Sequence, residues 1–334
     1  MSDCKNPSED GPKMMTDFCN QTRMTILVVG GAGYIGSHTC KALKENGFNP
    51  VVYDNLSNGH EWAVQYGPLV VGDILDDGLL DQTIKNYQPQ AVFHFASLID
   101  ARASMHDPSG YYQNNVVGSL RLLQAMTRNN LKRLVFSSTA AVYGQPIRDK
   151  LDENHPCAPV NVYGHTKWMT EQMIRDFGME AVILRYFNAA GADLEGKLGE
   201  AHTPETHLIP NALKTALGKQ SYLKMMGDGT AIRDFIHVTD LARAHVQALE
   251  WLLSGKGSMT FNLGTGKGHS VQEIVTMVEK LTKNTIKKEW GATHPADPVA
   301  LVADSTRAGE LLRWKPQHSD LETIITTALG WESR

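Results

Sequence analysis

A short β-branched run, Thr25-Ile26-Leu27-Val28-Val29, leads directly into Gly30-Gly31-Ala32-Gly33-Tyr34-Ile35-Gly36, and a helical pattern begins near Tyr34. A pyrophosphate reaches the amides at the start of a helix only when the intervening backbone carries no side chains, and the helix dipole favours the anion. The plain alternative for a glycine triplet is a tight turn with no ligand. The context argues against it, because an acidic residue, Asp54, lies 18 positions past Gly36 at the close of the run Val51-Val52-Tyr53. A carboxylate there accepts hydrogen bonds from both ribose hydroxyls of an adenosine and repels a phosphate. Asn55 to Gly59 holds no Arg for a 2′-phosphate, which favours NAD over NADP. Asp73 closes a further run, Leu69-Val70-Val71-Gly72, where it suits either an adenine amino group or a helix cap.

From Met24 the pattern alternates. Strands are predicted at 25–29, 50–53, 69–72, 91–95, 133–138 and 181–185, with helices at 34–46, 76–87, 110–129 and 162–178. This is the rhythm of an α/β chain, a Rossmann-type doubly wound parallel sheet. Past Arg185 it loosens into Gly- and Pro-rich segments, with helices predicted at 207–218, 239–253 and 270–282. A length of 334 residues exceeds one ordinary domain. The expected division is a leader at 1–23 without fixed structure, an NAD-binding domain at 24–185, and a smaller C-terminal α/β substrate lobe at 186–334 with some chain crossing back.

Net charge is −4, and the Lys/Arg clusters are too short to track a phosphate backbone, so nucleic acid is not an expected partner. Apolar stretches such as Ala181 to Leu184 fall far short of the roughly 18 residues that span a bilayer, and no membrane partner is expected. The four cysteines, at 4, 19, 40 and 157, show neither paired nor zinc-finger spacing, which fits a reducing cytoplasm. Thirteen histidines include His237 and His245, but no HExxH-like spacing, and no metal is expected.

Tyr163-Gly164-His165-Thr166-Lys167 puts a phenol and an ammonium four residues apart, on one face of a helix starting near Val162. To act as a base near neutrality the phenol must fall from about 10 to near 7, a preference of about 4 kcal/mol for phenolate. Lys167 together with a positive nicotinamide ring would supply it. The bland reading is an amphipathic helix with a surface lysine; the position after the fifth strand of a dinucleotide fold favours the functional one. Thr139, at the end of Leu134-Val135-Phe136-Ser137-Ser138, would bond the reacting sugar oxygen and relay its proton to Tyr163, or else cap local backbone.

In order along the chain, GGAGYIG, YDNLSNG, GDIL, FHFAS, NNVVGS, SSTAAVYG, VYGHTK, RYFNAAGA, RDFIHVTDLA and FNLGTG closely resemble the extended short-chain dehydrogenase/reductases, in particular the UDP-glucose 4-epimerases. The resemblance covers Met24 to Arg334. It implies Gly30, Gly33, Tyr34, Ile35 and Gly36 around a pyrophosphate, Asp54 and Asn55 on the adenosine ribose, and Asp73 with Ile74 at adenine. Phe95, Ala96, Ser97 and Asn115 would line the rest of the NAD cleft, Thr139, Tyr163 and Lys167 would be catalytic, and Tyr186 would flank the nicotinamide. Asn188, Leu208, Arg233, His294, Asp297 and Leu301 would meet a UDP-linked sugar. Ile99, Phe235 and His294 depart from the residues common in that family, where Lys, Tyr and Arg are frequent. Leu301 replaces a bulky residue near sugar C2 and leaves room for an N-acetyl group.

The same resemblance implies a homodimer through the helices at 110–129 and 162–178. Related dehydratases and decarboxylases place an acid just beyond the hydroxyl; here Ala140-Ala141 follow Thr139, which points to oxidation at C4, ring rotation and hydride return. NAD is then regenerated each turn and stays bound. Two rival readings remain at this level: an epimerase of another nucleotide sugar, such as a UDP-N-acetylhexosamine, UDP-pentose or UDP-uronate, and an NAD-binding regulatory protein without turnover.

Overall fold

The computed structural model describes residues 23–292 and 298–334, so most of the leader and the expectations for His294 and Asp297 lie outside the described residues. In the first half, strands β1 (Thr25–Val29), β2 (Asn49–Asp54), β3 (Leu69–Val71), β4 (Ala91–His94), β5 (Arg133–Thr139) and β6 (Glu180–Tyr186) alternate with helices. These are α1 (Tyr34–Glu45), α2 (Asp77–Tyr87), α3 (Ala103–His106), α4 (Pro108–Tyr111), α5 (Gly118–Arg128) and α6 (Val162–Asp176). The second half holds β7 (Asn188–Ala190), α7 (Leu208–Ala216), β8 (Leu223–Met226), β9 (Ile232–His237), α8 (Val238–Leu253), β10 (Met259–Leu263) and β11 (Gly268–Ser270). It ends with α9 (Val271–Thr282), β12 (Lys288–Gly291), β13 (Ala300–Leu301), α10 (Thr306–Leu311) and α11 (Leu321–Glu332).

Seven strands form one parallel sheet in the order β10-β6-β5-β4-β1-β2-β3. Its central strands are rich in apolar residues because both faces are covered. Ile26 and Val28 pack into one layer with Leu43 of α1 and Leu249 of α8. Leu27 and Val29 pack into the other with Leu80 of α2 and Leu122 of α5. Strand order reverses between β1 and β4, and a ligand crevice opens at such a switch point. The second half of the chain returns β10 to the sheet and α8 to its face. A smaller sheet has β9 between β7, β11 and β13. Among the described residues no helix is long and apolar enough to cross a membrane.

The single helix predicted at 110–129 is broken. Residues Tyr112–Val117 wind as a π-helix between α4 and α5. The Asn115 carbonyl there accepts the hydroxyls of Ser119 and Thr170, and such side-chain competition for a carbonyl is a common cause of a widened turn. Apolar periodicity does not register a widening of one turn.

A buried ion pair joins α6 to the sheet. Glu171, fully buried, accepts Nε and Nη2 of Arg185 on β6 at 2.9 and 2.6 Å and the Ser138 hydroxyl on β5 at 2.6 Å. Arg185 Nη1 donates to Tyr143 Oη at 3.1 Å, Tyr143 donates to Asn262 on β10 at 2.6 Å, and Asn262 Nδ2 donates to the Leu151 carbonyl at 2.7 Å. Breaking a buried pair strands a charge in low dielectric, whereas replacing both members by apolar residues does not. Glu171→Ala is expected to cost about 3–5 kcal/mol in chemical denaturation. Glu171→Leu combined with Arg185→Met is expected to cost less than the single change.

Candidate active site

The glycine turn sits at the switch point for steric reasons. Gly30 has φ +84°, and a Cβ there would lie 2.4 Å from the Ala96 amide nitrogen just after β4. A Cβ on Gly36 would lie 2.2 Å from the Gly30 carbonyl oxygen, so α1 packs onto the turn. Gly33 differs: its φ is −77°, and a Cβ would meet only the Gly30 oxygen, at 3.4 Å. The protein's own packing leaves room beside Gly33. No side chain caps α1 and no carboxylate occupies its first turn, which leaves its amides and dipole to an external anion. These features fit a dinucleotide pyrophosphate.

Asp54 ends β2 and is buried, and burial raises its carboxyl above the usual range. Its Oδ2 accepts the Ala32 amide at 3.0 Å and Oδ1 the Leu56 amide at 2.9 Å, leaving lone pairs for ribose hydroxyls. Asn55 donates to Asp73 at 2.8 Å, and the other Asp73 oxygen caps Leu75, also at 2.8 Å. The Ile74 side chain lies in the apolar layer against α5, so its route to an adenine is its backbone. Tyr34 and Ile35 also turn inward. Tyr34 Oη donates to the Gly191 carbonyl at 2.6 Å, and Ile35 packs on the sheet.

Asn161 caps α6 by accepting the Gly164 amide at 2.8 Å, and the buried Ser104 hydroxyl accepts the Tyr163 amide at 3.1 Å. Glycine is needed at 164, because a Cβ would stand 2.7 Å from the Ala141 carbonyl oxygen. This close approach sets the first turn of α6 against the end of β5, where the Thr139 hydroxyl hydrogen-bonds the Tyr163 phenol. Lys167, one turn on, donates from Nζ to Ser97 Oγ at 2.7 Å and to the Ser137 carbonyl at 2.8 Å. Its Nζ lies 6.0 Å from the centre of the Tyr163 ring. Tyr186, paired with Thr139 across β5 and β6, shares a hydrogen bond with the Ser137 hydroxyl.

Burial dominates the electrostatics. It pushes Tyr163 up to about 12, although the Thr139 hydrogen bond opposes it. It pulls Lys167 down to about 7, with the Glu171 carboxylate opposing. Without a bound dinucleotide the phenol is thus raised, because burial outweighs the Thr139 hydrogen bond. Asn115, expected to line the cleft, is almost fully buried and its amide bonds Leu98 and Thr166. It ties the backbone at Leu98, just past Ser97, to α6. Ile99 is exposed just beyond it.

Three of the residues expected at the sugar nucleotide lie on the small sheet. Asn188 pairs with Phe235 and Arg233 with Leu301, so three strands bring Asn188, Arg233 and Leu301 together. Phe235 packs in the lobe's apolar cluster with Ile209 and Leu213, and Leu208 opens α7 beside them. His237 caps α8 through Nδ1, accepting the Thr239 amide at 3.1 Å, and His245 is buried against Phe95 and Tyr186. Sequence reasoning missed Glu171, although it extends the Tyr163 and Lys167 face by one more turn. It also missed Ser97 and Ser137 as holders of the lysine.

The profile of the NAD dependent epimerase/dehydratase family matches residues 26–264. The chain is 49% identical to the UDP-glucose 4-epimerase of Rhizobium meliloti over 92% of this chain and 97% of that protein. It superposes with TM-score 0.89 and 48% identity on UDP-glucose 4-epimerase from Brucella ovis in complex with NAD, covering 92% and 97% of the two chains. It is also similar to the UDP-Glc/GlcNAc 4-epimerase from Campylobacter jejuni, at TM-score 0.81 and 36% identity over 93% and 99%.

The two glycines separate packing from binding. Gly33→Ala is expected to unfold within about 0.5 kcal/mol of the parent while NAD affinity falls about tenfold or more, ~1.4 kcal/mol. Gly30→Ala should lose both. Urea denaturation and NAD titration of the two variants check this.

Proposed function

Because this chain belongs to the NAD dependent epimerase/dehydratase family, we propose that it is an isomerase that interconverts UDP-glucose and UDP-galactose by inverting C4. The observation that carries this reading is the Tyr163 phenol bonded to the Thr139 hydroxyl one helical turn from Lys167. The next residues are Ala140 and Ala141, which neither donate nor accept a side-chain proton. Loss of water or carbon dioxide from a 4-keto sugar needs such a group, so return to the hydroxyl is the course left open.

When bound, NAD supplies an acceptor for the C4 hydride and gives the same hydride back. The protein supplies the rest. Tyr163 Oη takes the proton of the sugar 4-hydroxyl and later restores it, with Thr139 Oγ1 holding the sugar oxygen or passing the proton on. Lys167, anchored to Ser97 and the Ser137 carbonyl, stands beside the phenol, and together with the positive nicotinamide ring of bound NAD it would favour phenolate. Gly30, Gly33, Gly36 and Asp54 fix the dinucleotide. In the smaller lobe, Arg233 and Asn188 hold the diphosphate, while Leu208, His294 and Asp297 are assigned to other contacts with the nucleotide sugar. A firm hold there and a loose hold on the sugar let the ring present either face.

We place the homodimer contact on α5 and α6, where Tyr112 and Met169 are exposed large apolar side chains on or beside these helices. We place the protein in the cytoplasm, where Cys40 and Cys157 stay as free thiols.

Tyr163→Phe is expected to lower kcat about 10²–10⁴-fold in conversion of UDP-galactose to UDP-glucose while leaving NAD bound. Parental turnover in that variant, or no conversion of any UDP-sugar by the parent protein, would sink the assignment. A second reading rests on Leu301, half-buried beside Arg233. It leaves space at sugar C2, so UDP-N-acetylglucosamine is expected to turn over as well. Separating the sugar products of the two substrates decides it: turnover of UDP-glucose without UDP-N-acetylglucosamine would count against this extension.

A further inference from the structure

The segment that links β7 to α7 carries a cluster that the redox centre does not use. Glu200, His202, Glu205 and His207 each offer one donor atom, and these atoms lie within 4.8 Å of one another. His202 Nδ1 stands 3.1 Å from Glu200 Oε1 and 3.7 Å from Glu205 Oε1, and His207 Nδ1 turns to the same Glu200 oxygen. The two imidazole rings meet at 90° with centres 5.2 Å apart. One oxygen of Glu205 accepts the Thr206 and His207 amides, both at 2.9 Å. The other, Oε2, is buried on a side chain only 4% exposed and has no hydrogen-bond partner among the described residues; Lys214 Nζ is 3.9 Å away.

We propose that Glu200, His202, Glu205 and His207 form a binding site for one divalent transition-metal ion of the zinc class. Once the imidazoles release their protons on binding, they and the two carboxylates balance a double positive charge and give an N₂O₂ donor set. Zinc bonds such donors at roughly 2.0–2.2 Å, which puts tetrahedral neighbours about 3.4 Å apart. Two of the donor separations, 3.1 and 3.7 Å, lie on either side of that value, while His207 Nδ1 sits closer to the Glu200 oxygen and moves off it to take an ion. Magnesium and calcium prefer all-oxygen sets, so the imidazoles select against them. His207, 42% exposed, is the side from which an ion enters.

The ion is structural. Its ligand loop leans on the first turn of α1: the His202 ring meets the Tyr34 ring edge-on at 6.4 Å, and Tyr34 donates to the Gly191 carbonyl. The Glu200 carbonyl accepts Trp331 Nε1 of α11 at 2.9 Å. An ion there clamps the smaller lobe to the glycine turn and fixes Leu208, the residue after His207. The spacing E-x-H-x-x-E-x-H is visible in the sequence but belongs to no helix with donors one turn apart.

The test uses the full chain prepared without a metal-affinity column, stripped with EDTA, and titrated calorimetrically with Zn²⁺. Elemental analysis after desalting counts the ion. One ion per chain is expected, with a raised thermal midpoint and slower NAD release. Glu205→Gln, an isosteric change, and Glu205→Gln with His207→Gln should each weaken Zn²⁺ binding at least about tenfold. Cys4→Ser with Cys19→Ser should leave it unchanged. Co²⁺ in place of Zn²⁺ should give visible d–d absorption that both cluster variants lose. No ion held by the parent, or binding equally tight in the cluster variants, overturns the proposal and leaves the cluster as hydrogen-bonded ion pairs.

Discussion

Glu171 has no solvent contact and answers to two strands at once, through Arg185 on β6 and Ser138 on β5. It stands on the same face of α6 as Tyr163 and Lys167, each four residues from the next, so the pair that anchors the helix also fixes where the phenol and ammonium project. An ion pair of this kind contributes little net stability against an apolar substitute, but it accepts only one geometry. Slippage of α6 along the sheet would leave a carboxylate and a guanidinium buried apart. The network runs on through Tyr143 and Asn262 into β10, so the catalytic helix is registered against a strand from the other half of the chain.

The second constraint is closeness of backbone. Gly30 against Ala96, Gly36 against Gly30, and Gly164 against Ala141 are three places where a methyl group would collide. The first two bring the helix and the neighbouring strand end to the turn where a dinucleotide is held. The third brings Tyr163 to Thr139. Packing and chemistry therefore ask for the same residues at these positions, while at Gly33 the protein asks for little and the ligand for the rest.

This division explains what the sequence discloses. The strand, turn and helix around Gly30 to Gly36 are legible because each element is local and its apolar period intact, and so are Tyr163 and Lys167, whose adjacency is a property of the helix alone. Asn188 to Ala190 and Ala300-Leu301 carry no strand pattern; they become strands by pairing with β9 across long loops. The membership of β10 in the large sheet is hidden for the same reason. Lys167 illustrates a subtler limit. Its place on the helix can be read, but its bonds to Ser97 and Ser137 join segments far apart in the sequence. The cluster at Glu200 to His207 escapes a search for helical ligand spacing because an irregular loop assembles it.

The late return of β10 also bears on how the chain is made. A ribosome delivers β6 some seventy residues before its outer neighbour, Met259–Leu263. During that interval the apolar run Ala181 to Leu184 has an unpaired backbone edge, and α8, which covers the sheet face, is itself only just emerging. Open edges of this sort recruit other strands. The nascent chain is therefore most exposed to mispairing in the stretch of synthesis between Tyr186 and Leu263, and shielding by a chaperone matters most there.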